Sequence, residues 1–101
     1  MRCLAKELAP FGIRVNTVNP DAVIQGSRIW DGEWRQERAG AHGIDAGEAL
    51  EMHYRNRSLL KRDVLPADVA EAVAFFASEA SSKSTGNMIN VDAGNAQAFT
   101  R

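Results

Sequence analysis

The chain has 101 residues, of which 45% are hydrophobic and 25% charged, with 12 Lys and Arg against 13 Asp and Glu and a formal net charge of −1. A chain of this length buries about 65% of its unfolded surface, enough for one modest core and not for two domains. The composition excludes wholesale disorder, and the charge balance gives no bulk attraction to nucleic acid or to an anionic membrane. Cys3 is the single cysteine. It excludes an internal disulfide framework and a Cys-based zinc site, and a reducing, cytoplasmic setting is expected. No apolar run approaches the roughly 20 residues of a membrane span. The opening Met-Arg-Cys-Leu-Ala-Lys-Glu breaks into charge too early for a signal peptide.

In chain order, residues 1–9 read as a helix, because Leu4, Leu8 and Phe11 recur at i, i+4 and i+7 and share one face. Pro10 loosens the last turn, and Gly12 can take the left-handed conformation that closes it. No capping residue precedes this helix. Its unsatisfied first-turn N–H groups lead us to expect further chain upstream. Residues 13–19, Ile-Arg-Val-Asn-Thr-Val-Asn, are rich in β-branched side chains and meet Pro20, which predicts a short strand stopped there. Residues 20–27 read as a loop. Residues 28–62 carry both tryptophans and many charges and are the least regular stretch. Asp45 with Glu48 has capping-box spacing and predicts a helix over 46–57; another helix is expected through Trp30, Trp34 and Arg38. Pro66 opens the clearest helix. Val69, Val73 and Phe76 lie on one face of it, supported by Ala72 and Ala77, and Asp68 and Glu71 place negative charge in the first turn. A breaker-rich loop over 81–86 leads to a second strand over 88–91, ended by Asp92-Ala93-Gly94. The order helix, strand, helical insertion, helix, strand is that of an α/β layer, and a right-handed crossover makes the two strands parallel.

Three of these segments together resemble the short-chain dehydrogenases/reductases. Leu-Ala-Lys-Glu-Leu-Ala-Pro-Phe-Gly-Ile-Arg-Val-Asn-Thr-Val-Asn-Pro at 4–20 is similar to the segment that follows the family's active-site helix. Pro-Ala-Asp-Val-Ala at 66–70 with Phe-Phe-Ala-Ser at 75–78 resembles its last long helix, and Ser-Thr-Gly-Asn-Met-Ile-Asn-Val-Asp-Ala-Gly at 84–94 resembles its final strand and turn. A narrower resemblance rests on Asn-Pro-Asp-Ala-Val at 19–23, Gly26-Ser27, Ile29-Trp30, Trp34 and Glu37-Arg38. It is to the dehydrogenase part of bifunctional rhamnulose-1-phosphate aldolase/alcohol (lactaldehyde) dehydrogenases.

The resemblance implies the C-terminal part of a Rossmann-like doubly wound parallel sheet. Residues 1–101 would be the C-terminal portion of one such domain, with 28–62 as a substrate-lid insertion. It implies an NAD(P)-dependent oxidoreductase that moves a hydride between nicotinamide and a small alcohol or aldehyde such as lactaldehyde, in a cytoplasmic homo-oligomer. NAD and NADP both stay open, because the family's discriminating residue follows its second strand. The family's glycine-rich loop and its catalytic Tyr-x-x-x-Lys, Ser and Asn have no counterpart in this sequence. By the resemblance, the Tyr-x-x-x-Lys falls roughly two to three turns before Met1. Gly40, Gly43 and Gly47 follow no strand and form no dinucleotide fingerprint. Tyr54 has Ser58, not Lys, four places on. No catalytic residue is therefore assigned within the chain. The rival reading is a catalytically inert, truncated piece that serves only in oligomerisation.

In the family, backbone groups of the loop after the first of these strands meet the nicotinamide carboxamide. By position this implies Pro20, Asp21, Ala22, Val23 and Gln25 as cofactor-binding, with Val23 supplying those groups. The family usually has Gly where Asp21 stands and often Thr where Gln25 stands. Ligands of open α/β sheets also lie beyond the carboxyl ends of strands; the alternative is an ordinary strand-to-loop turn. Trp30 and Trp34, at i and i+4 on one helix face, are candidates for a substrate lid, with packing as the alternative. His42 and His53, eleven apart, are expected to be solvated or packed rather than metal-bound. Arg55, Arg57, Lys61 and Arg62 read as a solvated basic helix face rather than an anion site. Asp92 is expected to satisfy turn backbone groups or a subunit neighbour rather than to do chemistry, and Cys3, with no flanking base, to be packed or inert.

Overall fold

The computed structural model describes residues 1–30 and 32–99. Helix α1 spans Arg2–Leu8 and tightens into a 3₁₀ turn over Ala9–Phe11. Pro10 has no N–H to continue the α-helical ladder, and Gly12, at φ 72°, closes the turn. Strand β1, Thr17–Pro20, pairs in parallel with β2, Met88–Val91, in the register Thr17 to Met88 through Pro20 to Val91.

The first strand therefore starts four residues later than the β-branched run predicts, and Pro20 ends it from inside. The stretch before it is held by side chains instead of a ladder. The Val15 N–H donates to Thr85 Oγ1, and the Asn16 carboxamide donates to the Ser84 carbonyl and accepts from the Asn87 N–H. Pro20 costs no ladder bond, because the Asp21 N–H makes the next one, to the Val91 carbonyl at 3.2 Å.

Helix α4, Pro66–Ala77, crosses between the strands and packs on both. Pro66 sits at its first position, where a missing N–H is harmless, and the Asp68 carboxylate accepts the Leu65 N–H at 2.8 Å. Glu71 lies in the second turn, beyond the first-turn position expected for it. Arg14 closes the other end: Nη1 donates to the Phe76 and Ser81 carbonyls, both at 3.0 Å, and to Ser81 Oγ at 2.8 Å. A cation on the last carbonyls suits the helix dipole. Val69, Ala72 and Phe76 are half-buried, whereas Val73, on the expected core face, is 50% exposed.

The insertion holds a 3₁₀ turn over Arg28–Trp30, then α2, Glu33–His42, and α3, Glu48–Arg57. The Asp45–Glu48 capping box does not form; Gly47 is the N-cap and no side chain caps α3. Arg35 of α2 holds this turn from outside, donating to the Ala46 and Gly47 carbonyls and pairing with Glu51 at 3.3 Å. Trp30, Ala39, Leu50 and Tyr54 form the buried cluster, with Ala22, Ile24, Ile44 and Ala46 packed against it. The principal core thus lies in the stretch whose sequence is least regular. The α/β elements leave Leu4, Phe11, Ile13, Phe75 and Met88 exposed. The chain is elongated, 50 × 27 × 23 Å, with a radius of gyration of 16.3 Å against about 13 Å for a compact chain of 100 residues.

One seam ties the insertion to the sheet. After α3, the Leu59 and Leu60 N–H groups donate to the Gly94 and Ala93 carbonyls at 2.8 and 2.9 Å. Gly94 has φ 84°, and a Cβ there would sit 2.9 Å from Leu59 Cβ. Gly94→Ala is therefore expected to destabilise the chain by about 2 kcal/mol, from the left-handed conformation and the displaced Leu59 together. Gly40→Ala, inside α2 with open space around it, should stabilise it by about 0.5–1 kcal/mol. Urea unfolding of the two variants checks for shifts of opposite sign.

Candidate functional site

Beyond the carboxyl end of β1, the chain runs through Asp21–Ile24 outside any helix or strand. Here a cleft of about 700 Å³ opens. Pro20, Asp21, Ala22 and Val23 form one wall, and Pro66 and Val69 of α4 lie beside them. Trp30, Trp34 and Arg38 come from the insertion's first half, Tyr54 and Arg57 from α3. The loop is seated by Gly26, at φ 76°, where a Cβ would approach Pro66 Cγ to 3.1 Å. Four of the five residues expected to bind cofactor therefore share one cleft with both expected lid tryptophans. The fifth, Gln25, is exposed and borders a small adjoining pocket with Glu51, Arg55 and Asp63.

The tryptophans reach the cleft differently from the single helix face expected of them. Trp30 belongs to the 3₁₀ turn and Trp34 to α2, and Gly32, at φ 99°, stands between as the N-cap. Their rings still meet edge to face, with centroids 6.3 Å apart. Trp30 is buried against Tyr54, at 5.4 Å, while Trp34 is 42% exposed. Trp30 is thus a core anchor that also borders the cleft, and Trp34 is the member that solvent reaches.

Asp21, the residue where a glycine is the family habit, has a partner. Both its carboxylate oxygens accept from Arg57 Nη2, at 2.7 and 2.6 Å. The Arg57 guanidinium lies 4.6 Å over the Tyr54 ring, where a cation meets the negative face of the π system. Asp21 is not among the residues with positive φ, so the departure from glycine costs no backbone strain. The basic cluster is solvent-exposed at Arg57, Lys61 and Arg62, as expected of a solvated face, but two of its guanidinium groups are ion-paired. Besides Arg57, Arg55 binds both Asp63 oxygens at 2.9 and 3.0 Å, and hydrogen bonding to Asp63 holds its guanidinium pKa above the ordinary value. Lys61 donates to the Asn56 carbonyl. Asp92 is buried and accepts the Gly94 N–H at 2.8 Å, as its position in the turn predicts. Cys3 is exposed.

His42 and His53 come together behind this wall, their ring centroids 4.2 Å apart. Tyr54 Oη lies 3.4 Å from His42 Nε2 and 3.4 Å from Arg38 Nε. Sequence spacing gives no hint of this pairing, because the two residues sit on different helices and meet only when α2 folds back on α3. Among the described residues, no three His, Cys, Asp or Glu side chains converge as a metal site, and no helix is long and apolar enough to cross a membrane.

A cleft at the carboxyl edge of a parallel α/β layer, walled by a strand-end loop and bordered by a helical insertion, is where open α/β sheets bind ligands. The comparisons agree. The family described as enoyl-(acyl carrier protein) reductase matches residues 1–96. The uncharacterized oxidoreductase YuxG of Bacillus subtilis (strain 168) is 57% identical over 100 residues, which are 99% of this chain and 14% of that protein. The L-2,3-butanediol dehydrogenase of Corynebacterium glutamicum is 38% identical over 90 residues, 89% of this chain and 33% of that protein. The crystal structure of sorbitol-6-phosphate 2-dehydrogenase SrlD from Erwinia amylovora superposes with a TM-score of 0.80 at 27% identity, over 98% of this chain and 37% of that one. The chain belongs to the short-chain dehydrogenase/reductase family, an oxidoreductase family of Rossmann-like α/β fold, and it spans 14 to 34% of the length of the first three curated relatives it matches.

The histidine pair makes the insertion sensitive to pH. Burial, the neighbouring His42 and the nearby Arg57 charge, in that order, lower the His53 pKa from its ordinary 6.5. The unfolded chain then binds a proton more readily than the folded one, so stability rises with pH. The contribution is complete above about pH 6.5 and is lost as pH falls from there through the lower folded pKa. Thermal melts between pH 7.5 and 5 should show a falling Tm in the parent chain and a shallower fall in His53→Gln; equal slopes contradict the assignment.

Proposed function

We propose that this chain forms the nicotinamide-side wall and the substrate lid of an NAD(P)-dependent oxidoreductase acting on a small alcohol or aldehyde, with lactaldehyde as the substrate that the resemblance suggests. The observation that carries the reading is the single cleft in which the Pro20–Val23 loop faces Trp30 and Trp34. A small diol is the substrate in the name of the C. glutamicum relative, which supports a small alcohol. The dinucleotide cofactor, NAD or NADP, supplies the hydride-carrying ring when bound.

The residues present fit one end of such a cofactor. The backbone at Ala22 and Val23 is in neither helix nor strand and borders the cleft, so its polar groups are available to a carboxamide. Asp21 anchors the loop through Arg57 and leaves Val23 to face the cleft. Trp34 offers a flat apolar surface that excludes water from one side of a small substrate. The reading assigns proton transfer to a Tyr and Lys outside these 101 residues, and to this chain binding, orientation and covering. Homo-oligomeric assembly belongs to the same proposal and is supported by the exposed apolar side chains of the α/β elements.

Steady-state kinetics of the oxidoreductase carrying this chain test the loop. Val23→Pro removes one N–H and fixes φ, so the KM for NAD(P) should rise about tenfold, equivalent to roughly 1.4 kcal/mol, while kcat at saturating cofactor changes less. Val73→Ala, one turn along α4 and outside the cleft lining, should leave that KM unchanged. An unchanged cofactor KM in Val23→Pro contradicts the assignment.

A further inference from the structure

The cleft holds two guanidinium groups, and they are in different electrical states. Arg57 is neutralised by Asp21 at 2.6 Å. Arg38 has no carboxylate within ion-pair distance among the described residues. It is nevertheless positioned. Its Cζ lies 5.6 Å over the Trp34 ring, its Nε–H points to Tyr54 Oη at 3.4 Å, and its side chain is half-buried on the cleft wall. One of its five N–H donors is thus engaged, and among the described residues the terminal nitrogens have no protein acceptor. A half-buried cation held against aromatic rings, with its planar fork open, is complementary to a carboxylate or phosphate, which accepts two parallel N–H bonds.

Resting on the oxidoreductase reading above, we propose that Arg38 is an anion clamp. It receives a carboxylate or phosphate group at the lid end of the cleft and so sets specificity for the charge of what binds there. The anion has two possible sources, a charged group on the substrate or the diphosphate of the cofactor. Tyr54 and Trp34 act as positioning residues that hold the fork in place. A substrate with a charged tail would be anchored there while its reactive carbon reaches the Val23 side. A neutral hydroxy-aldehyde gains nothing from Arg38 beyond a single hydrogen bond.

The test has a readout independent of turnover. The 101-residue chain is titrated with inorganic phosphate and with sodium lactate at constant ionic strength, and with propane-1,2-diol as the neutral counterpart. The Arg38 Nε–H resonance and the Trp34 fluorescence report binding. Saturable changes with either anion, absent with the diol and weakened at least tenfold in Arg38→Leu, support the clamp. No saturable change, or the same affinity in Arg38→Leu, overturns it. Near-UV circular dichroism establishes that Arg38→Leu retains the packed Trp30 and Tyr54, and Arg38→Lys, which keeps the charge but not the fork, should bind with intermediate affinity. In the oxidoreductase carrying this chain, Arg38→Leu distinguishes the sources. A KM raised tenfold for anionic but not neutral substrates identifies the substrate's group. A cofactor KM raised with every substrate identifies the diphosphate. Unchanged KM values in both arms overturn the proposal. Anion binding by the larger protein that carries this chain, without any binding of NAD(P) by that protein, would sink the oxidoreductase reading and leave the clamp standing.

Discussion

The contact between Asp21 and Arg57 joins the strand-end loop to the helical insertion across the cleft. The strand-end loop and the helical insertion are separate constructions. The first is built on a two-stranded parallel sheet with α4, the second on a small core of Trp30, Ala39, Leu50 and Tyr54. Asp21 and Arg57 join them with both carboxylate oxygens accepting from one guanidinium nitrogen. The pair is partly exposed, at 31% and 24% for its side chains, so its contribution is about 1 kcal/mol or less. Its effect is geometric. Arg57 also lies on Tyr54, so the pair links the insertion's core to the strand-end loop.

The remaining links are few, and each is specific. Leu59 and Leu60 bond the turn after β2, which requires glycine at 94. Gly26 lets the loop lie on Pro66. Ala22 and Ile24 pack against the insertion's core. An elongated chain with a small core and a handful of seams has little reserve of burial, so the placement of Trp34 and Arg38 over the loop depends on polar contacts more than on apolar area. The same economy puts the histidine pair in a sensitive place, one turn of α3 from Arg57.

What was legible in the sequence was local. Pro66 with Asp68 announced α4 because both act within one turn, and Met88–Val91 followed from β-branched residues bounded by breakers. Family resemblance and the rule that ligands sit beyond strand ends singled out the loop at 20–23 and the tryptophans, and the structure places them around one cleft. The misreadings share one cause, a partner distant in sequence. The strand predicted over 13–19 lost its first half because Val15 and Asn16 face the Ser84–Asn87 turn, whose side chains and backbone take their hydrogen bonds. The capping box at Asp45 lost to Arg35, eleven residues away from Ala46, which holds the turn instead. The ion pairs of Arg55 and Arg57 were not legible because Asp63 and Asp21 lie 8 and 36 residues off. Asp21 itself was the one available clue, a charged residue at a glycine position, which asks for a cation nearby.

A double-mutant cycle on Asp21→Asn and Arg57→Gln tests the dependence on this pair most directly. Urea unfolding of the four chains, followed by tryptophan fluorescence, gives the coupling energy. The account predicts about 0.5–1 kcal/mol at low salt, falling in 1 M NaCl as the partly exposed charges are screened. Additive single effects, within about 0.3 kcal/mol and unchanged by salt, would contradict it.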